Sequence, residues 1–125
     1  MPADILIVDD EPSIVTPLRF LMQQQGHRVR VVDDGADVMP AFRARCPDLV
    51  LLDVMLPSRN GYSLCESIRQ HAAFEHVKIV LLTVKSREAD VEKGMALGAD
   101  AYITKPFAIQ EVVDTVTACL ADQSG

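Results

Sequence analysis

The sequence predicts one α/β domain with a doubly wound, five-stranded parallel sheet, in which helices cover both faces of the sheet. Three observations predict this fold class. The chain has 125 residues, which is the size of a single domain. Short aliphatic runs alternate five times with segments of helical periodicity, as in a parallel sheet. The runs are apolar at consecutive positions, as in strands that are buried on both faces.

Each predicted strand is a run of four residues, and the fifth run is the weakest. Right-handed crossovers would connect the strands through the helices between them. The five strands are predicted at residues 5–8, 29–32, 49–52, 79–82 and 101–104.

Four helices are predicted from apolar residues that recur at helical spacing. The first begins near Pro12, which suits a first helical turn. Pro17 and Pro40 fall inside the first and second helices, and because each removes an intrahelical hydrogen bond we expect kinks or late helix starts there. The apolar faces are Ile14, Leu18, Leu21 and Met22; Met39, Phe42 and Cys46; Leu64, Cys65 and Ile68; and Ile109, Val112, Val113, Val116 and Leu120.

The remaining helix, predicted over residues 86–97, is weakly amphipathic. Its apolar stripe consists of Val91 and Met95, and it contains Gly94. Because few apolar contacts would hold this helix, we expect it to be held less tightly than the others.

The composition excludes several classes of protein. Hydrophobic residues make up 49% and charged residues 24% of the chain, which excludes a wholly disordered or collagen-like chain. No apolar run approaches the roughly 20 residues that cross a bilayer, and the first residues lack the features of a secretory signal. We therefore expect a cytoplasmic protein with no membrane partner.

The net charge and the cysteines exclude two further kinds of site. The net charge is −6 and the basic residues are scattered, so no direct nucleic-acid partner is expected. Cys46, Cys65 and Cys119 are widely spaced without a CxxC pair, which argues against a disulfide framework or a zinc site. We interpret them as small packing residues.

Polar residues directly follow four of the predicted strands. The carboxyl ends of parallel strands lie at one edge of the sheet, where ligands bind in open α/β folds. Asp33 and Asp34 follow the remaining strand but precede Gly35, and we interpret them as a turn or a helix cap. The candidate site residues are Asp9, Asp10 and Glu11 after the first strand, Asp53 after the third, Thr83 after the fourth and Lys105 after the fifth.

If the first and third strands are neighbours, Asp9, Asp10 and Asp53 converge on one pocket. Clustered carboxylates stay ionised in a partly buried crevice only if protons or a cation compensate them. Oxygen ligands favour Mg²⁺, with Mn²⁺ as an alternative. Asp53 is the candidate nucleophile toward phosphorus, and Lys105 and Thr83 are residue types that contact phosphoryl oxygens.

Five segments, taken in order, form a specific set: Asp9-Asp10-Glu11, Asp53-Val54-Met55-Leu56-Pro57 with Gly61, Thr83, Gly98-Ala99-Asp100-Ala101, and Tyr102-Ile103-Thr104-Lys105-Pro106-Phe107. This set resembles the receiver domain of two-component response regulators, over residues 5–120. The resemblance implies a flavodoxin-like (βα)5 fold with strand order 2-1-3-4-5. It also implies that Asp53 accepts a phosphoryl group from a histidine kinase or a histidine phosphotransfer domain.

The resemblance implies roles for the other site residues. Asp9, Asp10 and the backbone carbonyl of Met55 would help to bind Mg²⁺ together with Asp53. Thr83 and Lys105 would contact the phosphoryl oxygens.

The resemblance further implies a cis peptide bond between Lys105 and Pro106, and a conformational switch. When Thr83 moves toward the phosphoryl group, the ring of Tyr102 would turn inward. The face formed by the fourth helix, the fifth strand and the fifth helix would then change shape for an unidentified downstream protein.

One residue and one loop segment depart from the family pattern. Val84, directly after Thr83, occupies a position that is often Ala or Gly, and its branched side chain is expected to narrow access to the phosphoryl group and slow its loss. Ser58-Arg59-Asn60 replaces a loop that often ends in Asp-Gly, and we interpret Asn60-Gly61 as a turn.

The expected organisation is a single receiver domain over residues 1–125, monomeric or weakly dimeric. Only five residues follow Leu120, so no output domain is expected, and the sequence leaves open whether the chain stands alone or is a piece of a longer protein. We expect no enzyme activity beyond transfer to and hydrolysis from Asp53.

A metal-dependent phosphohydrolase with an aspartyl nucleophile remains the alternative function. Such enzymes generally carry a second acid two residues after the nucleophile, where this chain has Met55. A nucleotide or flavin module is less favoured, because no glycine-rich phosphate loop follows the first strand.

Overall fold

A computed structural model describes residues 2–84 and 88–123, which form one parallel sheet between two layers of helices. The strand order is β2-β1-β3-β4-β5, which confirms the fold class that the sequence predicts and the order that the resemblance implies. None of the helices within the described ranges is long and apolar enough to cross a membrane. The strands are β1 (Asp4–Val8), β2 (Arg28–Val32), β3 (Leu49–Asp53), β4 (Lys78–Thr83) and β5 (Ala101–Thr104).

Four helices connect successive strands and a fifth follows β5, at the predicted places. Two single 3₁₀ turns, Gly35–Asp37 and Ala72–Phe74, precede α2 and β4. The helices are α1 (Pro12–Gln24), α2 (Val38–Ala44), α3 (Gly61–Gln70), α4 (Glu88–Ala96) and α5 (Ile109–Gln123).

The core has one layer on each face of the sheet, because successive side chains of a strand point to opposite faces. Ile5 and Ile7 of β1 pack with apolar residues of α1 and α5. Leu6 and Val8 of the same strand pack with apolar residues of α2 and α3. The four residues are at most 1% exposed, as expected for a strand buried on both sides.

The two internal prolines have different consequences. Helix α1 begins at Pro12 and continues through Pro17, so a late start is wrong for this helix. Helix α2 begins only at Val38, after the 3₁₀ turn, which confirms the expected late start. Pro40 therefore lies in the first turn of α2, where backbone N–H groups have no partner within the helix.

The predicted helical position of Cys46 is wrong. Helix α2 ends at Ala44, and Arg45 has an extended backbone with φ −161° and ψ 116°. Pro47 disfavours helical geometry for the residue before it, so Cys46 lies beyond the helix.

Helix α4 contacts the sheet through Gly94. A Cβ atom at this position would lie 2.7 Å from Cδ1 of Leu81, so the helix backbone approaches the strand more closely than a larger residue would allow. Met95 is 45% exposed, and its place in the predicted apolar stripe is wrong. The side chain of Val91 and residues 86 and 87 lie outside the described residues, and the weaker attachment of this helix stays a prediction.

The start of β5 is fixed through Asp100. Its N–H donates to the carbonyl of Ile79 at 2.8 Å, and its carboxylate accepts from the N–H of Ile79 at 2.8 Å. Arg69 of α3 donates to the same carboxylate at 2.8 Å and to the carbonyl of Gly98 at 2.8 Å. These bonds set the register that brings Lys105 to the carboxyl edge of the sheet.

Candidate functional site at the carboxyl edge of the sheet

Two buried aspartates lie side by side at the carboxyl edge of the sheet. Strands β1 and β3 are direct neighbours, and their last paired residues are Val8 and Leu52. Asp9 directly follows β1, Asp53 is the last residue of β3, and the two are 1% and 2% exposed. The convergence that the sequence predicts for these two residues is therefore present.

Lys105 joins the two aspartates. Its ammonium nitrogen lies 2.9 Å from Oδ2 of Asp9 and 3.4 Å from Oδ2 of Asp53. A third carboxylate, that of Glu11, lies 3.3 Å from the same nitrogen. The lysine side chain is only 8% exposed, and those of Asp9 and Asp53 are 0% and 3% exposed, so these two pairs are formed away from solvent. The Glu11 side chain is 52% exposed.

Backbone hydrogen bonds hold the remaining oxygen of each buried aspartate. The N–H of Glu11 donates to Oδ1 of Asp9 at 3.0 Å, and the N–H of Met55 donates to Oδ1 of Asp53 at 3.0 Å. In each carboxylate, Oδ2 thus faces Lys105 and Oδ1 accepts a hydrogen bond from a backbone N–H two residues later. The orientation of both side chains is fixed on two sides.

Strands β4 and β5 place Lys105 beside Thr83. The two strands are paired up to Thr83 and Thr104, and the N–H of Lys105 donates to the carbonyl of Thr83 at 2.6 Å. The Lys105–Pro106 peptide bond is cis, which is the isomer that the resemblance implied. Thr83 is 6% exposed and lies at the same edge as the aspartates.

The electrostatics of the site shift two pKa values upward. Burial raises the pKa of Asp53, and the charge of Asp9 adds to this, whereas the Met55 N–H and Lys105 oppose it. Burial alone would lower the pKa of Lys105, but its hydrogen bond to Asp9 and the charges of both aspartates outweigh burial and raise it. Lys105 is therefore an ammonium ion at neutral pH, and Asp53 is a more basic carboxylate than a surface aspartate.

The acidic residues fit a hard divalent cation. One carboxylate oxygen from each of Asp9, Asp10, Glu11 and Asp53 lies within 4.8 Å of the others. All four donors are oxygen atoms, which suits Mg²⁺ or Mn²⁺ rather than zinc. Asp10 and Glu11 are exposed, so the open side of the cluster faces solvent and could keep metal-bound water.

Gly61 allows α3 to begin directly against the backbone that follows β3. A Cβ atom at this position would lie 2.6 Å from the carbonyl oxygen of Asp53 and 2.7 Å from Cα of Val54. The side chain of Asn60 accepts from the N–H of Ser63 at 2.8 Å and caps the helix. The interpretation of Asn60-Gly61 as a turn is therefore wrong.

The remaining predicted residues lie in or just after strands β2 to β5. Tyr102 is on β5 and 44% exposed, while Met55 and Val84 are 68% and 54% exposed beside Asp53 and Thr83. The side chain of Asp34 accepts from the N–H of Ala36 at 2.8 Å, which confirms its interpretation as a cap.

The contact between Glu11 and Lys105 is the feature of the site that sequence reasoning missed. Glu11 belongs to the acidic run after β1, but no role follows from that position alone. The only available signal was its adjacency to Asp9 and Asp10. Its pairing with Lys105, 94 positions later in the chain, is visible only in the structure.

Comparisons with known proteins agree with this geometry. A family model described as "Response regulator receiver domain" matches residues 5–117. The alkaline phosphatase synthesis transcriptional regulatory protein PhoP of Bacillus subtilis is 42% identical over 120 residues, which are 96% of this chain and 49% of PhoP. The DNA-binding response regulator MtrA of Mycolicibacterium smegmatis is 42% identical over 116 residues, which are 93% of this chain and 50% of MtrA.

A solved structure from Chloroflexus aurantiacus, described as a response regulator, has a TM-score of 0.89 and is 33% identical to this chain. The match covers 97% of this chain and 99% of that one. The chain spans about half the length of the curated relatives it matches. The alternative of a phosphohydrolase receives no support from these matches.

Proposed function

The chain belongs to the response regulator receiver domain family, and from that membership we propose that it is the phosphoacceptor switch of a two-component or phosphorelay system. Asp53 is the acceptor. The observation that carries this proposal is the buried contact of Lys105 with both Asp9 and Asp53, at 2.9 and 3.4 Å. This contact puts a fixed positive charge beside Asp53, the buried aspartate that ends β3, within the cluster of acids.

The transfer step follows from the chemistry of Asp53. A carboxylate oxygen of Asp53 attacks the phosphorus of a phosphohistidine, a phosphorus–oxygen bond forms, and the phosphorus–nitrogen bond breaks. The electron pair of that bond leaves with the imidazole nitrogen of the partner. The ammonium of Lys105 offsets the negative charge of the transferred phosphoryl oxygens, which is the main requirement of this reaction.

Asp9, Asp10, Asp53 and the backbone carbonyl of Met55 are proposed to hold Mg²⁺. When bound, the ion supplies positive charge to the phosphoryl oxygens and to the clustered carboxylates. Asp9 keeps its orientation through the N–H of Glu11, so the same side chain serves Lys105 and the cation.

The proposed switch runs from Thr83 to Tyr102. Thr83 contacts the phosphoryl group after transfer, and Tyr102 moves inward from its present position. Tyr102 is 44% exposed, which supports an outward starting position. The face of α4, β5 and α5 then binds a downstream protein.

The remaining expectations concern the surroundings of the domain. A histidine kinase or phosphotransfer domain is the proposed donor, and the location is proposed to be cytoplasmic. PhoP and MtrA are named for transcription and for DNA binding. The absence of a direct nucleic-acid partner therefore stays a prediction for these 125 residues with their net charge of −6, as does the monomeric or weakly dimeric state.

Intact-mass measurement tests the acceptor. Incubation with Mg²⁺ and acetyl phosphate should add one phosphate to the wild-type protein and none to Asp53→Asn. Asp33→Asn is the matched control, because Asp33 is an exposed acid at the end of β2, and it should be phosphorylated like the wild type. An unchanged mass of the wild-type protein would contradict the proposal.

Nuclear magnetic resonance tests the switch. Addition of Mg²⁺ and fluoroberyllate, a phosphoryl mimic, should shift amide resonances in residues 86–97 and around Tyr102. The same addition to Asp53→Asn should leave both regions unchanged. A wild-type spectrum without shifts in these regions would count against the proposed route.

A further inference from the structure

Glu11 differs from the other two carboxylates that contact Lys105. The side chains of Asp9 and Asp53 are 0% and 3% exposed, whereas that of Glu11 is 52% exposed. Each aspartate is also bound by a backbone N–H. Within the described part of the chain, the Glu11 carboxylate has Lys105 as its single hydrogen-bond partner, at 3.3 Å.

Glu11 therefore lies on the solvent side of the lysine that a phosphoryl group needs. The side chains of Asp9 and Asp53 approach Lys105 from the interior, and Glu11 approaches it from the surface. Asp10 and Glu11, both exposed, line this open side of the cluster, and an incoming phosphoryl group that enters there reaches Lys105 past Glu11. It then competes with the Glu11 carboxylate for the ammonium group.

The charge of the site makes this competition matter. Three carboxylates, from Asp9, Glu11 and Asp53, contact the ammonium of Lys105, and Asp10 adds a fourth acid to the cluster. Phosphodonors are anions, and a fixed negative charge at the opening of a site lowers the rate at which anions enter it. Glu11 is the one acid in direct contact with Lys105 that solvent reaches freely.

We propose that Glu11 is a specificity-determining residue for the phosphodonor: its carboxylate occupies Lys105 in the resting site and slows phosphorylation by small free anions. This inference rests on the proposed function of Asp53. A protein donor brings its own contacts and can displace Glu11, whereas a small donor must overcome the repulsion unaided. The residue would thus keep the switch from responding to small phosphorylated metabolites.

Glu11→Gln tests this proposal, because it removes the charge and keeps the shape. The rate of phosphate addition is measured by intact mass at a Mg²⁺ concentration that saturates each variant. With acetyl phosphate, the rate should rise about threefold to tenfold at low ionic strength, and the gain should shrink as salt is added. With phosphoramidate, which carries less negative charge at neutral pH, the gain should be smaller.

Glu66→Gln is the matched control, since Glu66 is an exposed glutamate on α3 and the substitution changes the net charge equally. Its rates should equal those of the wild type. Equal rates for Glu11→Gln and the wild type, a slower Glu11→Gln, or the same gain in both variants would overturn the proposal. A wild-type protein that gains no phosphate at all would instead overturn the proposed function.

Discussion

The ammonium nitrogen of Lys105 lies 2.9 Å from Oδ2 of Asp9, although 96 positions separate the two residues in the chain. The two side chains are 8% and 0% exposed. Removing one partner of such a buried pair leaves the other charge uncompensated, which costs more than the pair itself contributes. Stability and function are therefore coupled at this contact.

Lys105→Met should lower the free energy of unfolding by about 3 kcal/mol in metal-free buffer, because Asp9 and Asp53 lose their shared cation. Mg²⁺ should restore part of this loss, since a ligand that binds only the folded state stabilises it. Urea unfolding with and without Mg²⁺ measures both effects.

The control for this prediction is Lys93→Met, on a lysine that lies 4.7 Å from the ring centroid of Tyr62. A contact of this kind contributes about 1 kcal/mol or less at the surface. Equal losses in the two variants, or no greater effect of Mg²⁺ on Lys105→Met than on the wild type, would argue against the coupling.

The raised pKa of Asp53 predicts a pH-dependent effect of Asp53→Asn. Burial, with the charge of Asp9, raises this pKa in the folded state. Between the unfolded pKa and the raised folded pKa, the folded protein holds a proton that the unfolded chain has lost, so stability falls as pH rises through that interval. Because asparagine does not titrate, the stability of the variant does not decrease with pH through this group.

Asp53→Asn should therefore gain stability relative to the wild type as pH rises above about 4, near the unfolded pKa of aspartate, and through the raised folded pKa. Unfolding by urea in the presence of a chelator at several pH values gives the difference. Asp33→Asn supplies the baseline for replacing an exposed aspartate. A difference that stays constant with pH, or shrinks as pH rises, would contradict the raised pKa.

Gly61→Ala should destabilise the protein by about 2 kcal/mol through overpacking, because the added Cβ would lie 2.6 Å from the carbonyl oxygen of Asp53. Displacement of this backbone should also slow phosphorylation of Asp53. Urea unfolding and the rate of mass increase test the two effects.

Gly26→Ala separates crowding from backbone strain. Gly26 has φ +91° and no atom within 4 Å of an added Cβ, so its substitution should cost about 1 kcal/mol from the left-handed conformation alone. It should not change the phosphorylation rate. If Gly61→Ala behaves like Gly26→Ala in both measurements, the close approach at Asp53 is not important.

Val84→Ala should speed the loss of phosphate from Asp53, since Val84 directly follows Thr83 and is 54% exposed. A smaller side chain would widen the approach of water. We expect an increase of about threefold, which corresponds to about 0.7 kcal/mol in the barrier. The decay of the phosphorylated mass after removal of the donor gives the rate, and Phe20→Ala, which trims an exposed apolar side chain of α1, should leave it unchanged.

The strands and most of the site could be predicted because both depend on local residue order. Consecutive aliphatic residues favour strands buried on both faces, and the residue after each strand lies at the carboxyl edge. Asp53 and Lys105 follow from this rule. The strand order came from the family resemblance, because no residue pattern specifies which strands are neighbours.

The features that could not be predicted depend on contacts between distant residues. The rotamer of Glu11, and not its place in the chain, decides that it reaches Lys105. The apolar stripe assigned to Met95 followed hydrophobicity, whereas the absence of a side chain at Gly94 positions α4. At Cys46 the signal was present, because the effect of Pro47 on the residue before it outweighs helical periodicity.

Gly94 also affects how α4 could move relative to β4. Where the side chains of a helix pack into grooves of a neighbouring element, the helix can slide only if each side chain first leaves its groove. At residue 94 the underside of α4 is smooth, and the Leu81 methyl group fills the place of a side chain. A bulky residue at position 94 would contact Leu81 and oppose movement of α4. A domain whose signal depends on repositioning this helix would then keep the chemistry at Asp53 but lose the change in its partner-binding face.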